Sequence, residues 1–126
     1  MESVVLDSSY LIALFNAKDL HHKIAISNIS PKYTYCASVI SITETLVTAK
    51  SNRNFERDLR IFKKLISKIV SVDEDIAIAA TKVRNSMKLK TPDALISATA
   101  SKIGAKLWTF DKELAKSHED SVYLTK

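Results

Sequence analysis

Ser3-Val4-Val5-Leu6-Asp7-Ser8-Ser9-Tyr10-Leu11-Ile12-Ala13-Leu14-Phe15 changes rhythm at its middle. From Ser3 to Leu6 the apolar residues run on without alternation, which reads as a short strand buried on both faces. Asp7 closes that strand. Ser8 and Ser9 are good helix N-caps, and the apolar segment Tyr10 to Phe15 behind them reads as a helix. It is apolar nearly all round, so it too belongs in the interior.

The same pairing recurs along the chain. A helix is expected over 19–29, stopped by Ser30-Pro31, then a strand over 34–37 and a helix from Ser38 to about residue 50. Residues 53–69 form the clearest amphipathic helix, with Phe55, Leu59, Phe62, Ile66 and Ile69 at three- and four-residue spacing. A short strand at 69–72 follows. Asp73, Glu74 and Asp75 favour the positive end of the next helix, whose apolar stripe is Ile76, Ala79, Ala80, Val83 and Met87. Thr91-Pro92 starts another helix, which runs to about Ile103 and ends at Gly104. Lys106 to Thr109 is a strand, Asp111 begins a short helical stretch, and Val122 to Leu124 is an edge strand. Strands alternating with helices across short connections predict a parallel sheet covered on both faces.

Length and composition set the outer limits. The 126 residues fit one domain, 1–126, large enough to build a core without staples. The single cysteine, Cys36, excludes an intrachain disulfide and fits a reducing cytosol, so a cytoplasmic location is expected. The N-terminal residues lack the basic and apolar regions of a signal peptide, and no apolar run is long enough for a membrane span. A net charge of +5 and a pI near 9.3 are compatible with a polyanionic partner, although ordinary soluble proteins carry such charge too. One glycine in the whole chain rules out a glycine-rich phosphate loop.

Four acids stand out. In parallel α/β sheets ligands bind at the carboxyl ends of strands. Asp7 and Asp111 each follow a strand, and Asp93 begins a helix that can approach the same end. Each also has an ordinary reading as a helix cap or dipole partner. Glu44 is harder to explain so, because it shares a helix face with Ile40 and Val47, and glutamate is rarely buried without a partner. Four carboxylates about 5 Å apart would repel by roughly 3 kcal/mol per pair at an effective dielectric near 20. Such a cluster needs protons or a hard cation. An all-oxygen donor set suits Mg²⁺ or Mn²⁺, one ion or two. Zinc lacks its ligands here, since His21 and His22 are adjacent, His118 is distant and Cys36 is alone. A carboxylate-held cation that keeps waters suits phosphodiester hydrolysis, by lowering the pKa of a water and stabilising the leaving oxygen.

Val5-Leu6-Asp7-Ser8-Ser9, Ser41-Ile42-Thr43-Glu44, the run Thr91-Pro92-Asp93-Ala94-Leu95-Ile96-Ser97-Ala98-Thr99-Ala100, and Thr109-Phe110-Asp111 resemble, in order and spacing, the PIN domain. They look most like the VapC toxins of prokaryotic toxin–antitoxin pairs. The likeness covers the chain from its first strand to its end, and the Pro-Asp-Ala-Leu-Ile-x-Ala-x-Ala run is its most specific part. It implies a three-layer α/β/α fold with a central, mostly parallel sheet, and a metal-dependent endoribonuclease. By that likeness Asp7, Glu44, Asp93 and Asp111 would bind Mg²⁺ or Mn²⁺ and be catalytic. Thr109 and Ser8 would support them from behind, and Arg84 matches an arginine that would touch substrate. The partners so implied are an RNA substrate, a VapB-like antitoxin and a second copy in a homodimer. The alternative is a catalytically inactive PIN-fold module that binds RNA or protein.

Other acid-at-strand-end readings fail on detail. A receiver domain wants an acidic pair ahead of its phosphoacceptor strand, and an Asp-x-Asp phosphatase wants an acid where Ser9 stands. Arg53, Arg57, Arg60 and Lys64 form a basic stripe that is either a solvated face or a phosphate contact. Trp108 and Cys36 are expected in the core, and the His21-His22 pair at the surface.

Overall fold

A computed structural model describes residues 1–47, 49 and 52–124, and for Asn52 and Arg53 the backbone alone. Five strands among them form one sheet: β1 (Glu2–Leu6), β2 (Tyr33–Ser38), β3 (Lys68–Val70), β4 (Lys106–Thr109) and β5 (Ser121–Tyr123). Their spatial order is β3-β2-β1-β4-β5, and every neighbouring pair is parallel. The chain therefore winds outward from β1 through β2 to β3, then returns to the other side of β1 for β4 and β5. Between β1 and β4 the winding reverses. At such a switch point the connections leave in opposite directions and open a crevice beyond the strand ends.

Period-two alternation along the strands divides the interior. Val5, Cys36 and Leu107 face one side, against Ile76 and Ala80 of α5 (Glu74–Met87), Ala94 and Ala98 of α6 (Thr91–Ile103) and Leu114 of α7 (Lys112–Lys116). Val4, Leu6, Tyr35, Ala37 and Trp108 face the other, against Tyr10 and Leu11 of α1 (Ser8–Phe15), Ala25 of α2 (His22–Asn28) and Phe62 of α4 (Asn52–Leu65). The outcome is the expected three-layer α/β/α arrangement. Each large side chain so buried contributes about 1.5–3 kcal/mol. The small buried residues of α6, from Ser97 to Ala100, let that helix lie close against its neighbours. The remaining helix, α3 (Ile40–Leu46), packs against α1, α4 and α6 and so bridges the two helical layers.

Several local expectations are corrected. The N-cap of α1 is Asp7, whose Oδ1 accepts from the Tyr10 amide at 2.8 Å. A carboxylate is the stronger acceptor, and it displaces Ser8 and Ser9 from that role. α2 starts at His22 rather than residue 19, because Asp19 Oδ1 accepts from the His21 amide at 2.8 Å and holds an Asx turn ahead of it. The histidine pair is half-buried: His21 stacks on Phe110 at 4.4 Å between ring centroids, and His22 Nδ1 lies 2.7 Å from the Ala13 carbonyl oxygen. α3 begins at Ile40, since the Val39 amide still donates to Val70 across the sheet edge. It ends at Leu46 with Val47 as its C-cap, short of the expected residue 50, and residues 48 and 50 lie outside the described residues. α4 ends at Leu65, where the Ser67 amide turns to the Tyr35 carbonyl and β3 begins. Phe55 and Met87, read as stripe residues, are exposed, while Trp108 and Cys36 are buried as expected. Of the basic stripe, Arg57, Arg60 and Lys64 are exposed and the Arg53 side chain lies outside the described residues.

Two helix ends use the left-handed conformation. Gly104 ends α6 at φ 66°, and Lys88 ends α5 at φ 56°. Glycine adopts this region freely, whereas a lysine there carries a Cβ penalty. We predict that Lys88→Gly stabilises the protein by up to about 1 kcal/mol and that Gly104→Ala destabilises it by about the same amount. Urea titration reads both. A Lys88→Gly variant less stable than the parent would contradict this account of the α5 end.

Candidate active site

Asp7 sits where β1 ends, and its backbone amide still donates to the Trp108 carbonyl of β4 at 3.3 Å. Its side chain is 2 % exposed. Three donors meet it: the Tyr10 amide, the Ser9 hydroxyl at 2.8 and 2.9 Å from the two oxygens, and the Thr109 hydroxyl at 2.5 Å from Oδ2. Thr109 closes β4, and its oxygen also accepts from the Asp111 amide at 2.8 Å. One hydroxyl thus ties the first acid to the backbone of the last. Ser9 does the same a residue earlier, accepting from the Phe110 amide at 3.1 Å.

Asp111 caps α7, with Oδ1 accepting from the Glu113 and Leu114 amides at 2.9 and 3.2 Å. The ordinary capping reading of both Asp7 and Asp111 is therefore correct. It uses Oδ1 of Asp111 and leaves Oδ2 without a donor among the described residues. Asp93, in the first turn of α6, receives no hydrogen bond from any described residue. Glu44 is half-buried on α3, which packs against α1 and α6. Its Oε1 accepts from Ser8 at 2.6 Å, and Ser8 is in turn 3.0 Å from the Ser41 hydroxyl.

Electrostatics bind the four into one group. Burial pushes the Asp7 carboxyl up to about 7 against three hydrogen bonds that favour its charged form, and the charge of Asp93 adds to the rise. Asp93 is itself raised, first by burial and then by the charges of Asp111 and Glu44, with Lys90 opposing. No cationic side chain among the described residues pairs with Asp7. An anion taken out of water without a counter-charge costs several kcal/mol, so the pocket favours either a proton or a cation at this place. The donor set, carboxylate oxygens with open lone pairs on Glu44, Asp93 and Asp111, is the kind that hard divalent cations prefer. No three acidic, histidine or cysteine side chains among the described residues stand close enough to enclose an ion as they are placed. A cation here would be held directly by one or two of the carboxylates and otherwise through water, as Mg²⁺ usually is.

Of the supporting residues read from sequence, Thr109 touches Asp7 and Ser8 touches Glu44. Arg84 is not brought to the acids. Its Nη1 donates to the Leu89 carbonyl at 3.0 Å and pins the α5–α6 connection, beside a groove of about 530 Å³ that it lines with Thr91, Ala94 and Leu95. Three contributors were missed. Ser9 lies two residues after an aspartate, a spacing that permits a side-chain turn. Ser41 lies three residues before Glu44 and so shares its helix face. Lys90 is the cation nearest to Asp93 in effect, and only the fold reveals it.

The class defined here is a doubly wound α/β protein with an acidic crevice at its switch point. Residues 4–118 match the PIN domain, and the protein belongs to that family. Among solved structures, a toxin–antitoxin complex from Klebsiella pneumoniae is 28 % identical, with 94 % of this chain and 95 % of that chain covered and a TM-score of 0.75. VapC20 of Mycobacterium tuberculosis, described as a toxin that cleaves the sarcin–ricin loop, is 21 % identical over 98 % of this chain and 99 % of its own, with a TM-score of 0.76. FitAcB of Neisseria gonorrhoeae shares the fold at 16 % identity and a TM-score of 0.73, with 96 % of each chain covered. No functionally curated protein matches the sequence.

A buried acid with a raised folded pKa holds its proton more tightly folded than unfolded. Between the unfolded value of 3.8 and the folded value of about 7, stability therefore falls as pH rises, and it levels off above that. We predict that metal-free protein loses melting temperature between about pH 4 and pH 7 on this account. Asp7→Asn should flatten that slope. An identical slope in the variant would show that burial of Asp7 is not its cause.

Proposed function

We propose that this protein is a metal-dependent endoribonuclease, the VapC-type toxin of a toxin–antitoxin pair. The observation that carries the proposal is the buried Asp7 carboxylate, without a cationic partner among the described residues and raised further by the charge of Asp93, which Asp111 and Glu44 raise in turn. Two of the solved structures just described are named as a toxin–antitoxin complex and an RNA-cleaving toxin, and they agree with it. So does the net charge of +5, which favours a polyanionic substrate.

In this reading Asp7, Glu44, Asp93 and Asp111 are the metal-binding and catalytic groups, one or two of them touching an ion directly and the others acting through water, and Mg²⁺ or Mn²⁺, one ion or two, is the cofactor. The cation would supply positive charge to a phosphodiester and raise the acidity of water. The chain's own residues set the geometry. Thr109 and Ser9 hold the Asp7 oxygens and prevent their rotation, while Ser8 holds one oxygen of Glu44. Asp111 is fixed by two amides through Oδ1, which leaves Oδ2 without a donor among the described residues. Asp93, free of hydrogen bonds from the described residues, is the carboxylate best able to move a proton to or from a bound water. Arg84 stays assigned to the substrate side, its role limited to a phosphate at the edge of the α5–α6 groove. The proposed partners are RNA as substrate, a VapB-like antitoxin, which would cover the crevice, and a second copy of the chain. Among the described residues no helix is long and apolar enough to cross a membrane, and a cytoplasmic site of action agrees with the single, buried cysteine.

Asp7→Asn and Asp93→Asn should each lower RNA cleavage by more than about a hundredfold while keeping the fold. Adding Mn²⁺ at 100 times its Kd should stabilise the parent by about 2.7 kcal/mol and these variants far less. RNA cleavage at the parental rate by either variant would overturn the proposal. RNA binding with neither cleavage nor a Mn²⁺-dependent melting shift would assign the fold to a non-catalytic binding module.

A further inference from the structure

Behind Glu44 lie two serines that the reaction does not need for any obvious chemical purpose. Ser41 is 0 % exposed and Ser8 is 8 % exposed, so both hydroxyls are out of water and need partners. The order of donation is decided by chemistry. An ionised carboxylate only accepts, so the proton in the 2.6 Å contact between Ser8 and Glu44 belongs to Ser8. A hydroxyl has one proton. Ser8 having given its own to Glu44, the proton in the 3.0 Å contact between Ser8 and Ser41 must come from Ser41. The result is a one-way chain from Ser41 through Ser8 to Glu44 Oε1, in which each bond polarises the next.

Serine in a helix commonly returns its hydroxyl to a carbonyl of the preceding turn. Ser41 does not do so here, and no other described residue shares its hydroxyl. Its one proton is committed to Ser8. Ser41 and Glu44 are three apart on α3, on one face, and Ser8 is the first residue of α1. Two residues of α3 therefore grip a single hydroxyl of α1, and the gripped atom is the one that orients the glutamate.

We infer that Ser41 is a positioning residue for Glu44. By donating to Ser8 it fixes that hydroxyl in the one rotor that aims its proton at Oε1. Glu44 is thereby held on its flexible stem with Oε2 left open. The inference rests on reading Glu44 as a ligand of the divalent cation. Without Ser41, the Ser8 hydroxyl gains other rotors and Glu44 loses its fixed orientation, while the charge of the site is unchanged.

The test uses the full chain and Mn²⁺ alone, with the Kd measured by calorimetric titration and the melting temperature measured without metal. Ser41→Ala should weaken Mn²⁺ binding about tenfold, the lower end of what loss of an orienting partner costs. In a Glu44→Gln background the same change should alter the Kd no further, because the group it positions is no longer a ligand. Ser41→Cys, which refills the space with a weak donor, should weaken binding like Ser41→Ala and so covers the case in which the alanine variant fails to fold. A serine that only fills the core would lower the melting temperature of the metal-free chain, and its effect would add in full to that of Glu44→Gln. A parental Kd in Ser41→Ala or Ser41→Cys, or full additivity, overturns the inference. If Glu44→Gln itself leaves the Kd unchanged, Glu44 is not a ligand, and the underlying site reading falls together with it.

Discussion

A carboxylate removed from water at the end of a central strand must be satisfied by its surroundings, and the organisation of this site follows from how that is done. The Thr109 hydroxyl, at the end of β4, donates to Asp7 at the end of β1. The same oxygen accepts from the Asp111 amide. Because β1 and β4 are the two strands flanking the switch point, this one hydroxyl joins the two halves of a doubly wound sheet where they diverge. Thr109 is fully buried, and its position is set by the pairing of Trp108 with Leu6 in register. A valine there would keep the shape of the strand and lose both bonds.

The third and fourth acids arrive by a different route. Glu44 and Asp93 come from helices, on α3 and α6, and depend on packing between layers rather than on strand register. α3 bridges α1 and α6, so its placement decides whether Glu44 reaches the crevice. The hydrogen-bonding pattern reflects this division. Asp7 and Asp111 are heavily tied by backbone amides and neighbouring hydroxyls, Glu44 by one hydroxyl, and Asp93 by none from the described residues. The rigid acids belong to the sheet's ends and the freer ones to the helices that lean over it.

What could be read in the sequence follows the same line. The buried strands were legible because residues covered on both faces are continuously apolar, as at Val4-Val5-Leu6. Asp7 and Asp111 were legible because strand ends are where such folds place ligands. Glu44 was legible because a glutamate on an apolar helix face is out of place. The N-cap of α1 was left between two readings because serine and aspartate both cap helices, and only the competition between them, settled by acceptor strength, decides the starting residue. Ser9 and Lys90 lie close in sequence to the acids they act on, at spacings that ordinary turn and surface residues share, and Ser41 was not legible because its role depends on Ser8, 33 positions away. The histidine pair was misplaced for the same reason. Nothing local shows that Phe110 will offer His21 a ring to stack on, or that Ala13 will offer His22 a carbonyl.

The bond between Thr109 and Asp7 spans 102 positions of the chain. β1 precedes the other four strands in the sheet, yet one of its two neighbours, β4, follows only after β2 and β3. Until then one whole edge of the central strand is open, with Asp7 at its tip and its principal hydroxyl donor not yet made. Contacts this distant in sequence are slow to form, because the entropy of closing the intervening chain is lost before they repay it. The acids cannot meet until β4 and residue 111 have joined the sheet. Until β4 pairs with β1, the chain carries the parts of the crevice without the crevice.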